Sequence, residues 1–360
     1  VDIRTRLTLI LVAVSLISMA LLGSFAYITS AGLLQEISLR QLDALAESKK
    51  RDLNKVYESW EDKLSLVRSR ESLRTSIRDL VASESVEDHQ ALETIIQGIR
   101  VALPKIDQLI ISNLDGKEIA SAGRSKVSHP PVSIDKEVRY VGAYLTEDGL
   151  RVALNSGVEL DGTLVGGIEI IFDASDVFDV TSDYTGLGDS GEALVVMRDV
   201  GMIQVLNPLR FAVQGSAQQI MGSTSDDMSR VFESPGSLSE ESREDYRGEE
   251  VWLATRFLRK PGWGLVVKID VGEEQQRADV LKEALFDIAI ALSAFAIVGG
   301  ALLGFYFARP IHELAEVVER MRRGEKDLRA EVKGDDEIAY LSQSLNQFLD
   351  HLEDEQGGNA

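Results

Sequence analysis

Two runs without a charged residue restrict what this chain can fold into. Leu7 to Ile28 and Ile288 to Phe307 contain no Asp, Glu, Lys or Arg. At a rise of about 1.5 Å per residue each is long enough, as a helix, to cross a hydrocarbon layer of about 30 Å. Ser24-Phe25-Ala26 has the small residues of a signal-peptidase site. The apolar run is longer than a cleavable signal core of about 7–15 residues, so retention as an anchor is expected. Arg4 and Arg6 precede the first run, and Arg309, Arg320, Arg322, Arg323 and Lys326 follow the second. Cations collect on the cytoplasmic side, so both termini are expected in the cytoplasm of a bacterial cell whose inner membrane holds two spans. Residues 30–287 then lie outside.

The formal charge is −21. Residues 1–6 carry +1 and residues 308–360 carry −6, leaving −16 in the segment between. A chain this acidic repels polyanions, so no nucleic-acid partner is expected. There is no cysteine, which removes disulfides, thiolate metal sites and cysteine nucleophiles. His89, His129, His312 and His351 are far apart, and none has a second His at metal-binding spacing. No G-x-S-x-G elbow occurs. No cofactor, metal or catalytic domain is expected within these residues.

Hydrophobic periodicity divides the outer segment. Leu42, Leu45, Leu53, Val56, Trp60, Leu64 and Val67 recur at helical spacing, and no Pro or Gly interrupts residues 33–97. A long stalk helix is expected over residues 30–104, packed on its own domain, on a second subunit, or on each along different parts. The period then falls to two. Strands are expected at 107–113, 117–122, 138–146, 151–158 and 163–172, and again at 192–198, 202–207, 244–246, 251–258 and 264–270. The same order occurs twice, as two small PAS-like antiparallel sheets over 105–182 and 183–275. Residues 276–287 link the second to the membrane.

The segment Asp183-Tyr184-Thr185-Gly186-Leu187-Gly188-Asp189-Ser190-Gly191-Glu192 and the closing Gly262-Trp263-Gly264-Leu265-Val266-Val267-Lys268-Ile269-Asp270 resemble the linker and last strand of double Cache domains. These are tandem PAS-like sensors of bacterial chemoreceptors, sensor histidine kinases and cyclases. Gly186 to Gly191 also fits G-x-G-x-x-G, but a strand follows the glycines where a dinucleotide site needs a helix, so they are expected to form the turn between modules.

In the family's amino-acid receptors a strand aspartate near the end of the distal module meets the ligand amine. If Val165 to Ile171 aligns with that strand, Ile171 stands at the aspartate position. Glu169 lies two residues back on the same face, with Tyr144 and Arg151 on adjacent strands. In the proximal module Trp252 and Arg256 share a face, and Arg210 opens a cover expected over 208–243. Together they could hold a carboxylate or an aromatic ring. Each of these six residues has an alternative, structural reading: Trp252 as core and Arg256 as the partner of a surface acid.

After the second span, Arg309-Pro310 leads into Ile311, Leu314, Val318 and Met321, and Gly324 stops the helix. A connector carries Leu328 and Val332. Asp336-Glu337 opens a second helix with Ile338, Leu341, Leu345, Phe348 and Leu352 on its seam. Neither helix can bury its seam alone. Residues 308–355 resemble a HAMP domain in Pro310, Gly324, Asp336-Glu337-Ile338 and Asn346. That resemblance implies a parallel four-helix coiled coil in a homodimer, with Leu328 and Val332 pinning the connector and Val318 a mid-sized seam residue whose replacement biases output. Ala296, Gly300 and Gly304 place small residues at every fourth position of the second span.

The expected whole is an α+β membrane sensor: two spans, a stalk helix with two PAS-like modules outside, and HAMP inside. It detects a small ligand outside and passes the signal to an output domain beyond the HAMP segment. The first expectation for that output is a histidine kinase with its response regulator; a chemoreceptor or nucleotide cyclase output and a sensor reading a protein partner are the alternatives. The missing initial Met and the tail at 356–360 suggest a fragment of a longer protein.

Overall fold

The computed structural model describes residues 3–83, 85–123, 125, 127, 129–130, 133–199, 202–211, 231–233, 236, 238–303, 305–306, 309–325 and 328–357. The chain divides into two compact units, residues 34–276 and residues 1–33 with 277–360.

Within residues 34–276 the helical face expected from the sequence is buried. Helix α1 (Ile3–Arg68) turns Leu42, Leu53, Trp60, Leu64 and Val67 inward, with Leu45 and Val56 at the edge of the core. That face packs on the two sheets of its own chain. The stretch without Pro or Gly is not one helix, however. It breaks at 69–70, and after α2 (Glu71–Ser83) a separate helix, α3 (Val86–Ala102), starts behind Ser85. The start of α3 is local chemistry: Ser85 caps it by accepting from the Asp88 amide at 3.1 Å. The break at 69–70 is set at long range. Arg68 just before it donates to Ser156 at 2.5 Å, and α2 turns back to bury Leu73, Ile77 and Leu80.

The distal sheet contains β1 (Ile106–Ser112), β2 (Glu118–Gly123), β3 (Arg139–Thr146), β4 (Gly149–Leu160) and β5 (Thr163–Asp173), in the antiparallel order β2-β1-β5-β4-β3. A short helix α4 (Ser175–Thr181) follows. The proximal sheet repeats the order as β7-β6-β10-β9-β8. Its strands are β6 (Glu192–Asp199), β7 (Met202–Val205), β8 (Leu238–Glu244), β9 (Glu250–Leu258) and β10 (Trp263–Asp270). The strand expected at 244–246 is instead a turn. The Asp245 carboxylate accepts from the amides of Arg247 (2.7 Å) and Glu249 (3.2 Å), and Gly248 takes φ +81°. The true strand β8 reads LSEESRE. It pairs on one side only, and such edges tolerate charge, so it lacks the apolar alternation that marks inner strands. The cover expected over 208–243 falls largely on residues outside those described.

Period two puts opposite faces of each sheet to different uses. In the distal sheet Leu109, Ile111, Leu154, Ile170 and Phe172 join the core with α1, while Ile110, Asn155 and Glu169 face a cavity. A register shift in β3 between Tyr140 and Gly142 sends Tyr140 and Tyr144 to different faces. Tyr140 packs on the core and its hydroxyl accepts from the Trp263 indole N–H of the proximal sheet at 3.0 Å. Tyr144 stacks on His129, with ring centroids 5.9 Å apart. One strand thus touches both His129, which lines the cavity, and the junction between modules.

In the other unit, helix α5 (Val271–Leu303) has a 24-residue stretch, Asp279–Leu302, of mean hydropathy 2.1, and α1 has a stretch of 1.9. Both are long and apolar enough to cross a membrane. On α5 Ala296 is half-buried and Gly300 buried; Gly304 lies outside the described residues. Helices α6 (Arg309–Arg322) and α7 (Glu337–Gly357) end and start where the sequence indicates. Gly324, at φ +93°, closes α6 through its amide to the Met321 carbonyl at 2.9 Å. Asp336 caps α7 by accepting from the Ala339 amide at 3.0 Å.

Candidate ligand-binding site and relay

A cavity of about 290 Å³ opens on the distal sheet. Strand β1 brings Gln108 and Ser112, β4 brings Asn155, and β5 brings Glu169. Asn155 and Glu169 are cross-strand partners, so their side chains lie side by side. Asn155 is only 6% exposed, and its Oδ1 has no hydrogen-bond partner among the described residues. A buried carbonyl oxygen without a donor costs about 1–3 kcal/mol. A ligand that donates to it would recover that energy.

Glu169 already has a partner. One carboxylate oxygen meets the His129 Nε2 at 2.8 Å, and the other ring nitrogen lies 2.9 Å from the Pro130 carbonyl. Burial pushes the Glu169 carboxyl upward, and the imidazole partly offsets this. At His129 burial works to lower the pKa, but the Pro130 carbonyl and the Glu169 carboxylate outweigh it and raise the ring above its ordinary value. At 2.8 Å the two groups are within hydrogen-bonding distance, and they form an ion pair when the ring is protonated and the carboxyl ionised.

Of the three distal candidates, Glu169 lines the cavity and Tyr144 reaches it through the His129 ring. Arg151 shares the sheet face but pairs at one end of it with Asp107 at 3.0 Å and Asp173 at 3.8 Å. Sequence inspection missed His129, which has no nearby acid in the chain, and Asn155. The latter left a trace: the one side-chain amide in the mostly apolar run Val152 to Val158.

The proximal candidates do not converge on a cavity. Trp252 belongs to the core against α1. Arg256 pairs with Asp43 at 2.6 Å and Glu47 at 2.8 Å, both on α1. Arg210 grips the linker, donating to the Gly191 carbonyl at 2.5 Å and lying 4.1 Å over the Tyr184 ring. The opposite sheet face carries a closed polar network. Lys268, 3% exposed, sits 3.1 Å from Glu192 and also pairs with Asp245. The Tyr246 hydroxyl donates to Glu192 at 2.9 Å, and Arg247 bridges Asp245 and Asp270.

Burial alone would push the Asp245 carboxyl up. Lys268 and Arg247 outweigh that and hold it below the ordinary carboxylate range. A group whose folded pKa lies below its unfolded value of about 3.9 adds stability above that pH and loses it as pH falls through the folded pKa. Asp245→Asn is therefore expected to be less stable than wild type near neutrality and to lose less stability on acidification. Urea denaturation at neutral pH and below about pH 4 checks both halves; parallel pH profiles would contradict this.

The glycine turn between modules has its own anion. The amides of Asp189 (3.2 Å) and Ser190 (2.8 Å) and the Ser190 hydroxyl (2.5 Å) donate to Glu273 in the first turn of α5. Gly188, at φ +67°, needs to be glycine because a Cβ would strike that carboxylate at 2.2 Å. The donors that would cradle a phosphate are thus taken by the helix leading to the second apolar run.

In α6 and α7, Leu314, Ala339, Ser342 and Leu349 are buried within one chain. The connector is held by Asn346, which accepts from the Ala330 amide at 2.7 Å and donates to its carbonyl at 2.8 Å. Leu328 is half-buried and Val332 exposed, so within one chain Ala330 and Asn346 pin the connector. Pro310 and Ile338 line a groove with Leu314. Met321 and Leu345 are half-buried, and Glu337 opens α7. Ile311, Val318, Leu341 and Phe348 stay exposed, leaving an apolar stripe on both helices.

Residues 302–354 match the HAMP domain family. None of the curated proteins matches the sequence. Among solved structures, the chain is similar to the sensory domain of the Campylobacter jejuni chemoreceptor Tlp3 with isoleucine bound, at 10% identity and TM-score 0.46, covering 68% of this chain and 97% of that one. It is also similar to the ligand-binding domain of the Pseudomonas fluorescens chemoreceptor CtaA in complex with L-isoleucine, at 11% and 0.44, covering 69% and 99%. A third is the extracellular domain of vpHK1S-Z8, described as a histidine kinase, at 13% and 0.48, covering 69% and 96%. A helix able to cross a membrane, two sheet modules, a second such helix and a HAMP domain, in this order along the chain, define a signal-transducing receptor. The chain carries that HAMP domain over residues 302–354.

Proposed function

We propose that the chain senses a small, cationic hydrogen-bond donor in its distal cavity and relays occupancy through HAMP. The supporting observation is the unpaired, buried Asn155 Oδ1 beside the Glu169 carboxylate. A protonated amine satisfies both with one group. The −16 carried between residues 6 and 308 also favours approach of a cation.

The topology in this reading has residues 7–28 and 288–307 spanning the bacterial inner membrane, 30–287 outside and both termini in the cytoplasm. The modules are 105–182 and 183–275, and 308–355 works as a four-helix bundle in a homodimer. The stripe of Ile311, Val318, Leu341 and Phe348 supports pairing, since a second copy would bury it. Relay runs along β3 to the Tyr140–Trp263 contact, and through Glu273, held by the glycine turn, into α5. A ligand can shift this equilibrium only by its differential affinity for two arrangements. The output domain is in first place a histidine kinase; a chemoreceptor or cyclase output fits the same relay.

Thermal-shift measurements on the full chain in detergent, against a library of small amines, acids and neutral polar compounds, test the ligand class. Amines are expected to raise the melting temperature of wild type in a dose-dependent way. Glu169→Gln and Asn155→Leu should each abolish that rise. Stabilisation by acids instead of amines would refute the assignment.

A further inference from the structure

The cavity that should attract a cation contains one made from the protein itself. His129 reaches Glu169 from the segment between β2 and β3, forty residues away in sequence, and its Nε2 lies 2.8 Å from the carboxylate. It is not a surface pair: the two side chains are 15% and 14% exposed. The ring is seated on Tyr144, while Asn155 Oδ1, on the residue opposite Glu169 in the sheet, has no donor among the described residues. Glu169 therefore has a partner within the protein, and Asn155 Oδ1 has none among the described residues.

We propose that His129 is a built-in competitor for the ligand's cationic group, a specificity-determining residue that holds Glu169 until an incoming ammonium displaces it. This deepens the proposed function and rests on its assignment of the distal cavity to a cationic donor. The ammonium engages Glu169 and Asn155 together, whereas the imidazole engages only Glu169. A neutral polar molecule gains nothing at Glu169 by displacing a charged partner, so His129 screens such molecules out.

The exchange has a definite proton balance. In this scheme a protonated His129 pairs with an ionised Glu169 before the ligand arrives. After exchange the ligand ammonium pairs with Glu169, and His129, without its carboxylate, returns toward the ordinary imidazole pKa of about 6.5 and releases its proton to solvent near neutrality. The groups facing the ring are Glu169 on β5, Tyr144 on β3 and the Pro130 carbonyl, and Glu118 on β2 adds negative charge near Glu169. Binding should accordingly strengthen as pH rises and the competitor loses its charge.

The test uses the full chain in detergent with n-propylammonium chloride as probe and 1-propanol as its uncharged counterpart. Calorimetric titration in two buffers of different ionisation enthalpy counts protons. Wild type is expected to bind propylammonium with net proton release and to ignore propanol. His129→Ala and His129→Gln should bind it about ten-fold more tightly at mildly acidic pH, because a state blocked nine times in ten lowers apparent affinity by that factor. They should release no proton, and the gap should close at alkaline pH. Propylammonium binding that Glu169→Gln abolishes but that the His129 variants leave unchanged or weaken would overturn the competitor role while leaving the cavity assignment standing. Failure of propylammonium to bind wild type and both His129 variants would overturn both.

Discussion

Trp60→Ala is expected to destabilise residues 34–276 by about 3–5 kcal/mol, the usual range for removing a fully buried indole. Trp60 has no exposed surface. It stacks on Phe172 of the distal sheet at 6.1 Å and meets Trp263 of the proximal sheet edge-on at 6.4 Å, with Tyr57 at 6.3 Å on its own helix. One α1 side chain thus joins both modules, and its loss should uncouple them as well as weaken them. Denaturant unfolding followed by tryptophan fluorescence and by circular dichroism should give coincident transitions in wild type and separated ones in the variant. The indole N–H is buried with no partner among the described residues. Trp60→Phe removes that orphan donor, whose burial costs about 1–3 kcal/mol, and should cost far less than the alanine change. Equal losses for the two variants would show that the indole's packing is not what matters.

The second large effect is expected at Lys268. Its ammonium is 3% exposed and faces Glu192 and Asp245. Removing one partner of a buried pair strands the other, at a cost of about 3–5 kcal/mol. Lys268→Met should show that loss in chemical denaturation. The double change Lys268→Met with Glu192→Gln should recover part of it, because one stranded carboxylate is then neutral; Asp245 retains Arg247. An undiminished loss in the double variant would mean that the ammonium's cross-strand partner is not the source. The network also explains why the proximal module is not a candidate for the same ligand. Lys268, Glu192, Asp245, Arg247 and Asp270 already face one another, whereas the distal cavity keeps an acceptor with no donor among the described residues.

The sensor role and the pocket residues were unequally legible. The apolar runs, the helical spacing of α1, nine of the ten strands and the caps of α6 and α7 follow from local rules: bilayer length, periods of 3.6 and two, and the conformational freedom of Gly324. The exception, β8, is a charged edge strand that lacks the expected pattern. Glu169 was reachable from strand alternation. His129 was not, because its partner is forty residues away and the pair exists only once β5 lies in the sheet opposite the segment that follows β2. Arg256 shows the reverse case. Its composition suggests a ligand contact, yet Asp43 and Glu47, more than two hundred residues earlier, neutralise it.

By itself, then, the sequence determined the membrane-spanning potential, the doubled five-strand plan, and the HAMP helices with their cap and stop, because these depend on neighbours within a few residues. Only the tertiary structure decided which polar groups are consumed and which stay open. Burial removes the water that would satisfy every polar group equally, and each group's partner is then whatever the fold places within hydrogen-bonding distance. Glu273 closes the glycine turn and α1 closes Arg256, while Asn155 keeps a buried acceptor that no described residue satisfies, in a cavity where a ligand can donate.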